Sequence, residues 1–365
     1  MFSPSNNVPD ENNSLQEAKR LQSYVGAIRE ALDQEMSSDE RVFVMGLDVD
    51  DHKAIQGSTH GLLEKYGANR IFTTPLSEDA MTGVAIGAAM AGRRPVHVHI
   101  RMDFLMLCMN QLINIAAKSH YMYGGATKVP MVVRSMIGKS WGQGAQHSQN
   151  LNAMFAHVPG LKVVAPSNAY DAKGMLIAAI RDQNPVVFTE HRLLYFTEGY
   201  VPEESYTLPF GKARICAEGD DVTLLGVSNM VMECLRAREL LAEKGISAEV
   251  IDPITLVPLD METITASVSK TRRILVVDNA WTNCGFSAEI LARLAESGAA
   301  DGAIVSRMGF APTTCPTTPW LEQHYYPNPV TVAEKANALV DPASDWIPDP
   351  ESAKLTYEMQ FRGPF

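Results

Sequence analysis

Short apolar runs rich in Val and Ile alternate along this chain with stretches whose apolar residues recur at helical spacing. The first helical pattern contains Tyr24, Val25, Ile28, Ala31 and Leu32. Strand-like runs follow at residues 41–46, 70–74, 94–100, 129–134, 162–165 and 185–189. This alternation is typical of a mostly parallel sheet that helices cover on both faces. The sequence therefore predicts an α/β fold.

A connector at residues 194–210 interrupts the alternation before it resumes. The connector contains Gly199, Pro202 and Pro209, which favour turns and loops. After it, strand-like runs lie at residues 222–227, 246–251 and 273–278, and helical patterns lie at residues 230–244, 260–269 and 287–296. We therefore expect two doubly wound domains, of which the second is the smaller.

The composition of the ends sets the predicted boundaries. Residues 1–18 are too polar to bury a core, so we expect a disordered N-terminal tail. We assign residues 19–205 to the first domain and residues 206–340 to the second. Residues 341–365 are rich in Asp, Pro, Ser and Glu, which predicts a C-terminal extension rather than a core element.

The charge balance excludes several classes of partner. The 365 residues contain 31 Lys and Arg against 42 Asp and Glu, so the formal net charge is −11. An acidic chain does not attract the polyphosphate backbone of nucleic acid. The longest nearly uncharged apolar stretch, residues 80–92, is shorter than the roughly 20 residues that a membrane span needs. We expect neither nucleic acid nor a membrane as a partner.

The N-terminus and the cysteines predict a cytoplasmic location. Residues 1–13 lack the cationic start and apolar core of a secretory signal. The five cysteines are scattered and show no Cys-x-x-Cys spacing, which argues against a zinc site or a dithiol pair. We expect most of them to be reduced core residues.

The segment from Pro75 to Gly92 holds the most informative pattern. Ser77 is suited to cap a helix that begins at Glu78, which places a carboxylate at the positive end of the helix dipole. Gly83 and Gly87 follow on one helical stripe, and each costs about 1 kcal/mol relative to Ala inside a helix. Close packing of another subunit against this stripe would account for that cost. The simpler interpretation of Glu78 is a solvated carboxylate in the first turn.

Several segments together resemble the beta subunit of thiamine-diphosphate-dependent 2-oxoacid dehydrogenases of the pyruvate, branched-chain and acetoin type. The likeness runs from about residue 21 to residue 340, with its segments in the family order. The matching segments are Thr74-Pro-Leu-Ser-Glu78, Gly83-Val-Ala-Ile-Gly87, Ala145-Gln-His-Ser-Gln149, Pro159-Gly-Leu-Lys-Val-Val-Ala-Pro166, Asp171-Ala-Lys-Gly174, Ala179-Ile-Arg-Asp-Gln-Asn-Pro185, Glu249-Val-Ile-Asp252, Asp260-Met-Glu-Thr-Ile264 and Cys284-Gly-Phe-Ser-Ala-Glu289. The resemblance implies a pyrimidine-binding transketolase-like domain followed by a transketolase C-terminal domain.

The resemblance also implies roles for three side chains. Glu78 matches the glutamate that hydrogen-bonds a ring nitrogen of the cofactor's aminopyrimidine and so promotes formation of the reactive ylid. Phe104 matches an aromatic residue that packs on the pyrimidine face, although an apolar helix also places a Phe in an ordinary core. His147 matches a histidine near the thiazolium and the substrate, although a lone loop histidine is more often a surface residue.

Two candidate metal sites differ in their support. Relatives enclose a structural potassium ion with backbone carbonyls, and the matching residues are Met131, Ala179, Ile180, Asp182 and Asn184. The turn at Asp182 would equally close without a metal ion. His97 and His99 alternate on one predicted strand and so share a face, but no third ligand lies nearby in the sequence, and the resembling family has no metal there.

An expected motif is missing. Enzymes of this superfamily bind the cofactor's diphosphate through Mg²⁺ held by a Gly-Asp-Gly motif, and this chain contains none. The nearest string, Gly219-Asp220-Asp221, is most simply a turn. We therefore expect an alpha-type partner subunit to supply the Gly-Asp-Gly motif and Mg²⁺ in an α2β2 heterotetramer, with the Gly83 and Gly87 helix at a subunit contact.

Three features depart from the resembling family. Leu47 stands where relatives usually carry a carboxylate near the cofactor. Arg101 stands where smaller uncharged residues are common, and it either brings positive charge toward the substrate or forms a surface or structural ion pair. The extension after Val340 lies close to where relatives dock on a lipoyl-bearing acyltransferase.

The sequence therefore favours the beta subunit of a thiamine-diphosphate-dependent 2-oxoacid dehydrogenase. Such an enzyme decarboxylates a 2-oxoacid and transfers the acyl group to lipoamide or another acceptor. Two alternatives remain at this point. One is a split transketolase-like subunit that transfers ketol or acyl groups without lipoamide, and the other is a non-catalytic scaffold or regulatory subunit of the same fold.

Overall fold

The computed structural model describes residues 20–51, 53, 55–139 and 142–349. The predicted N-terminal tail at residues 1–18 and most of the predicted C-terminal extension lie outside these residues. Residues 341–349 of the extension form turns and irregular chain, and Trp346 packs against the second domain.

Seven strands form the first sheet, in the order β12-β6-β7-β5-β4-β2-β3. All of its pairings are parallel except that of β12 with β6. Strands β5 and β7 are buried along their whole length, as expected for a sheet with both faces covered. The strands are β2 (Val42–Gly46), β3 (Ile71–Thr73), β4 (Arg94–His99), β5 (Val132–Ile137), β6 (Lys162–Val164), β7 (Val186–His191) and β12 (Thr255–Val257).

Helices flank this sheet. The predicted first helix is confirmed, and its apolar residues face the core. The helices of the first half are α1 (Tyr24–Ser38), α2 (Leu62–Tyr66), α3 (Glu78–Met90), α4 (Met102–Leu105), α5 (Ala117–Met122), α6 (Asn152–Ala156) and α7 (Ala169–Arg181). A 3-10 turn (Met106–Cys108) and a π-helical stretch (Asn110–Ala116) join α4 to α5 and pack on α3.

The second half builds a five-stranded sheet in the order β14-β13-β10-β11-β9. Its pairings are parallel except for the edge strand β9, which runs antiparallel to β11. The strands are β9 (Arg214–Ala217), β10 (Val222–Gly226), β11 (Ala248–Asp252), β13 (Arg273–Trp281) and β14 (Ile304–Phe310), and the helices are α8 (Met230–Glu243), α9 (Met261–Thr271), α10 (Phe286–Glu296), α11 (Pro319–Glu322) and α12 (Pro329–Val340).

Besides strands β9 and β14 of the second sheet, two pairings were not predicted from the sequence. The short strand β12 belongs to the second half of the chain but pairs with Val163 and Val164 at the edge of the first sheet. In addition, β1 (Leu21–Ser23) pairs antiparallel with β8 (Glu198–Tyr200). Strands β1 and β12 contain three residues each, and such strands are too short to show a hydrophobic period.

The predicted α/β alternation is confirmed, although some strand limits differ. The predicted strand at residues 129–134 begins at Val132, after Pro130, whose backbone has no N–H to donate to a sheet. Of the five cysteines, all are free, and Cys108, Cys234 and Cys315 are buried. Among the described residues, no helix is both long and apolar enough to cross a membrane.

Candidate active site

Glu78 is the first residue of α3, directly after the carboxyl end of β3. This end of a parallel sheet is where α/β folds place ligands. The Glu78 side chain is half-buried, and Asp79 beside it is exposed. Ser77 occupies the N-cap position as predicted, but its side chain makes no capping hydrogen bond. The backbone N–H groups of this first turn therefore keep a positive end next to the Glu78 carboxylate.

The glycine stripe of α3 faces open space. A Cβ atom added at Gly87 would meet no atom within 4 Å, and one added at Gly83 would meet only the Gln111 amide, at 3.6 Å or more. Val84, on the same helix, is 54% exposed. Within the described chain, nothing packs closely on this stripe, so its place at a subunit contact stays a prediction.

Phe104 and His147 meet, although 43 positions separate them in the chain. Phe104 lies on α4, which follows β4, and His147 lies in the loop that follows β5. Their ring centroids are 5.3 Å apart, and the rings meet edge to face at 77°. The neighbouring strands β4 and β5 therefore bring these two predicted site residues together at one edge of the sheet.

Glu78 lies on the neighbouring helix, which packs on the segment that follows Phe104. The carboxylates of Glu78 and Asp79 lie close enough to Cys108, one helical turn beyond Phe104, to raise its pKa. Burial is the larger cause, and the Cys108 pKa rises to about 11. That thiol is therefore not a nucleophile at neutral pH.

His97 and His99 lie behind this site as a buried pair. Their ring centroids are 4.2 Å apart, and His99 Nε2 lies 3.4 Å from the Thr82 hydroxyl of α3. Burial lowers the pKa of His97 to about 4 and lowers that of His99 further below its usual range. Both rings are therefore neutral. Among the described residues, no group of three or more His, Cys, Asp or Glu side chains is arranged to hold a metal ion.

Arg101 anchors the loop that carries His147. Its guanidinium donates hydrogen bonds to the His147 carbonyl oxygen at 3.0 Å and to the Gln143 side chain. Arg192, after β7, donates to the same Gln143 oxygen at 2.8 Å. Neither Arg192 nor Gln143 stood out in the sequence, because only folding brings them to Arg101.

Asp103 holds the other side of this loop. Its carboxylate accepts hydrogen bonds from the Gln149 backbone N–H at 3.2 Å and from the Gln149 side-chain amide at 2.9 Å. Burial raises the Asp103 pKa, and the Gln149 hydrogen bonds offset part of the rise. The His147 loop is thus held on both sides by residues that flank Phe104.

The five residues predicted to hold potassium surround the start of β5 and the end of α7. The carbonyl oxygens of Ile180 and Asp182 accept hydrogen bonds from Arg94 at 2.7 Å and 2.9 Å. The other carbonyl contacts are the Met131 oxygen with the Val186 N–H at 3.0 Å and the Ala179 oxygen with the Asp182 N–H at 3.3 Å. The Asp182 carboxylate accepts from the Asn184 N–H at 2.8 Å and pairs with Lys162.

The string Gly219-Asp220-Asp221 forms a bend before β10. The Asp221 carboxylate accepts a hydrogen bond from the Ser247 N–H at 2.8 Å, and the Asp221 N–H donates to the Ser247 carbonyl at the same distance. The acid is therefore used within the second sheet, in agreement with the predicted turn.

Comparison with known proteins places this geometry in a family. Residues 21–197 match the family described as transketolase, pyrimidine binding domain, and residues 211–332 match transketolase, C-terminal domain. The beta subunit of acetoin:2,6-dichlorophenolindophenol oxidoreductase from Cupriavidus necator is 44% identical over 323 residues, which cover 85% of this chain and 95% of that protein. The chain belongs to the transketolase-like beta subunit family.

Two further comparisons agree. The mitochondrial pyruvate dehydrogenase E1 component subunit beta-1 of Arabidopsis thaliana is 48% identical to this transketolase-like beta subunit over 274 residues, which cover 74% of this chain and 76% of that protein. A solved structure titled split gene transketolase, inactive beta4 tetramer, superposes with a TM-score of 0.71 at 18% identity, and covers 86% of this chain and 96% of its own. The latter likeness shows the shared fold.

Proposed function

We propose that this chain is the beta subunit of a thiamine-diphosphate-dependent 2-oxoacid dehydrogenase and supplies the pyrimidine half of the cofactor site. The observation that carries the proposal is the grouping of Phe104 and His147 beside the helix that begins at Glu78. The relatives named as acetoin and pyruvate dehydrogenase beta subunits support it.

The residues present fit thiamine diphosphate. Glu78 presents a half-buried carboxyl group at a helix N-terminus, where it is able to hydrogen-bond a heterocycle. Phe104 is only partly buried, so its ring is available to pack on an aromatic ligand. When bound, thiamine diphosphate supplies the carbon nucleophile that adds to the 2-oxoacid carbonyl and allows carbon dioxide to leave.

In this proposal each side chain has a separate task. Glu78 hydrogen-bonds a pyrimidine ring nitrogen, Phe104 packs on the ring, and His147 moves or holds a proton near the substrate. Arg101 and Asp103 position the His147 loop through the hydrogen bonds described above. The acyl group then passes to lipoamide or another acceptor.

An alpha-type partner is part of the proposal because this chain lacks a Gly-Asp-Gly motif for Mg²⁺ and diphosphate. Large apolar side chains on and near α3 are exposed, which suits an α2β2 contact. They are Leu76, Val84, Met90, Leu107, Ile115, Tyr121, Met122 and Tyr123. A lipoyl-bearing acyltransferase is the further partner that we propose.

A structural potassium ion is also proposed. The carbonyl oxygens near Asp182 already accept hydrogen bonds, but each retains a second lone pair, and carbonyl oxygens suit a hard cation. The positive charges of Arg94 and Lys162 at the same place oppose such a cation. Unfolding temperatures in KCl and in choline chloride at equal ionic strength test the proposal, since only specific binding makes them differ.

The activity is tested by co-expressing this chain with an alpha-type subunit and assaying a panel of 2-oxoacids with an artificial electron acceptor. Glu78→Gln should lower turnover on the order of 100-fold or more, because it removes a positioned proton acceptor. Asp79→Asn, the exposed neighbour, is the matched control and should retain activity. Adding lipoamide as the acceptor separates a dehydrogenase from a lipoamide-independent transferase.

Two results would contradict the proposal. One is near-normal turnover by the Glu78→Gln heteromer with its unfolding temperature unchanged. The other is tight binding of Mg²⁺ and thiamine diphosphate, with turnover, by the purified chain alone.

A further inference from the structure

Two guanidinium groups lie side by side at the proposed active site, and neither forms an ion pair with an acid of the described residues. Arg101 and Arg192 both donate to the same Gln143 oxygen, which carries no charge. Among the described residues, no carboxylate lies within 4.0 Å of either guanidinium. Arg192 is 3% exposed, and its Nε atom has no hydrogen-bond partner.

Asp103 is the nearest acid, and its charge acts on both guanidinium groups without forming an ion pair with either. The Asp103 carboxylate accepts hydrogen bonds from the backbone N–H and the side-chain amide of Gln149. Burial and mutual repulsion lower the pKa of Arg101 to about 10, so it is still cationic at neutral pH. Burial also lowers the pKa of Arg192, whereas nearby Tyr and Asp groups raise it. The site therefore holds two positive charges that an anion would stabilise.

The arginine pair faces the groups to which the proposed function assigns chemistry. The Arg101 carbonyl accepts the Phe104 N–H at 3.0 Å, and the Arg101 guanidinium contacts the His147 carbonyl. An anion bound by Arg101 would therefore lie beside the loop that carries His147. Arg101 is partly exposed and can touch a ligand, while Arg192 lies behind it.

We propose that Arg101 binds a terminal anionic group of the substrate and that Arg192 and Gln143 position it. The substrate class is then a 2-oxoacid that carries a second acidic group at its far end. This inference rests on the proposed function, whose substrate class it narrows.

The leaving carboxylate is the poorer candidate for this contact. Charge on that carboxylate disappears as carbon dioxide forms, so a strong ion pair with it would stabilise the bound substrate more than the transition state. A terminal anionic group keeps its charge throughout the reaction. An ion pair with the terminal group therefore holds the reacting carbon in place without opposing the loss of carbon dioxide.

The test uses the heteromer assembled with its alpha-type subunit and two pairs of substrates. Each pair has equal chain length, and only one member ends in a carboxylate. The pairs are 2-oxoglutarate with 2-oxopentanoate and 2-oxoadipate with 2-oxohexanoate. The variants are Arg101→Gln, Arg101→Lys and Arg192→Lys, and the control is Arg293→Gln, an exposed arginine on α10.

We expect the wild-type heteromer to prefer the substrates with two carboxylates. Arg101→Gln should lower kcat/KM for them by about 10- to 100-fold, mainly through KM, because a charge-assisted hydrogen bond is lost. Arg101→Gln also removes a hydrogen bond to the His147 loop, which should lower kcat for both classes alike. The substrates with one carboxylate should therefore lose less kcat/KM than those with two, since they lack the terminal contact. Arg101→Lys should recover part of the loss, and Arg192→Lys should raise KM for the same substrates by less.

A wild-type preference for the substrates with one carboxylate, or an equal loss on both classes in Arg101→Gln, would overturn the inference. Failure to decarboxylate any 2-oxoacid would instead contradict the proposed function. A binding measurement keeps the two separable. Glutarate, which has no 2-oxo group, should raise the unfolding temperature of the wild-type heteromer more than pentanoate does, and this difference should vanish in Arg101→Gln.

Discussion

Two arginine sites in the first domain differ in how the guanidinium charge is compensated. Arg134 and Glu190, on neighbouring strands β5 and β7, form a bidentate pair at 2.6 Å and 2.8 Å, and both side chains are 0% exposed. Tyr195 donates a further hydrogen bond to Glu190 at 2.8 Å. Arg101 and Arg192, by contrast, share the uncharged Gln143.

The difference separates a structural charge from one that is available to a ligand. In a buried ion pair whose acid is also hydrogen-bonded, the two charges compensate each other, so no ligand is needed to balance them. The Arg134 guanidinium pairs with the Glu190 carboxylate inside the sheet. The Arg101 and Arg192 pair has no such direct ion pair among the described residues, which leaves it available to a ligand.

The largest test of this comparison removes the acid from the compensated pair. Glu190→Gln should lower the free energy of unfolding by about 3–5 kcal/mol, because it leaves Arg134 charged and buried. Urea unfolding followed by circular dichroism measures the loss. Replacing both residues together, Arg134→Met with Glu190→Met, should recover most of it, since no charge is then left unpaired.

A double variant as unstable as Glu190→Gln would mean that Arg134 stabilises the fold through contacts other than this ion pair. The comparison between the two arginine sites would then lose its electrostatic basis.

The sequence predicted these two sites unequally well. The resemblance assigned Glu78, Phe104 and His147, and the structure places Phe104 against His147. The resemblance also drew attention to Arg101. Its partners Gln143 and Arg192 lie 42 and 91 positions further along the chain, and they become neighbours of Arg101 only when β4, β5 and β7 pair. Side-chain pairing across a parallel sheet has no local sequence signal.

The fold was more accessible because it depends on local periodicity. Runs of β-branched residues predicted most strands of both sheets, but β9, β12 and β14 were missed. The predicted strands differ from the observed ones at their ends, where Pro130 and neighbouring residues decide which backbone groups pair. The helix at Glu78 was predicted correctly, but the expected Ser77 side-chain cap is absent. A capping hydrogen bond depends on a side-chain rotamer that residue type does not determine.

A second test concerns Asp278, a buried acid without a neighbouring cation among the described residues. Because burial disfavours its charged form, this carboxyl group keeps its proton to a higher pH. Asp278 is 1% exposed, its Oδ2 atom has no hydrogen-bond partner, and burial raises its pKa to about 7. The folded protein therefore holds a proton between about pH 4 and pH 7 that the unfolded chain releases. This group makes stability fall as pH rises through that interval.

Asp278→Asn should remove this dependence. We expect the variant to gain stability relative to the wild type as pH rises from 4.5 to 7 and the gain to level off above pH 7, where the folded carboxyl also ionises. Thermal unfolding at matched ionic strength measures the difference. Asp220→Asn, at an exposed bend, is the control, and an equal pH-dependent gain in both variants would contradict the assignment to Asp278.

The smallest effect is expected at the uncompensated pair itself. Arg101→Gln removes one of two like charges together with hydrogen bonds to a loop, and these changes oppose each other. The free energy of unfolding of the purified chain should therefore change by no more than about 1 kcal/mol. A loss as large as that of Glu190→Gln in urea unfolding would show that Arg101 is a structural residue.

The strand at Thr255–Val257 ties together two regions that the sequence presents as separate. It contributes the outermost ladder of the first sheet, although it begins about seventy residues beyond Arg181, where α7 ends. A fragment cut within the connector would expose the backbone of β6 as an unprotected edge, the kind of surface on which chains stack into aggregates. The two halves are thus better regarded as co-dependent during biosynthesis, with the earlier one completed only after the later one has left the ribosome.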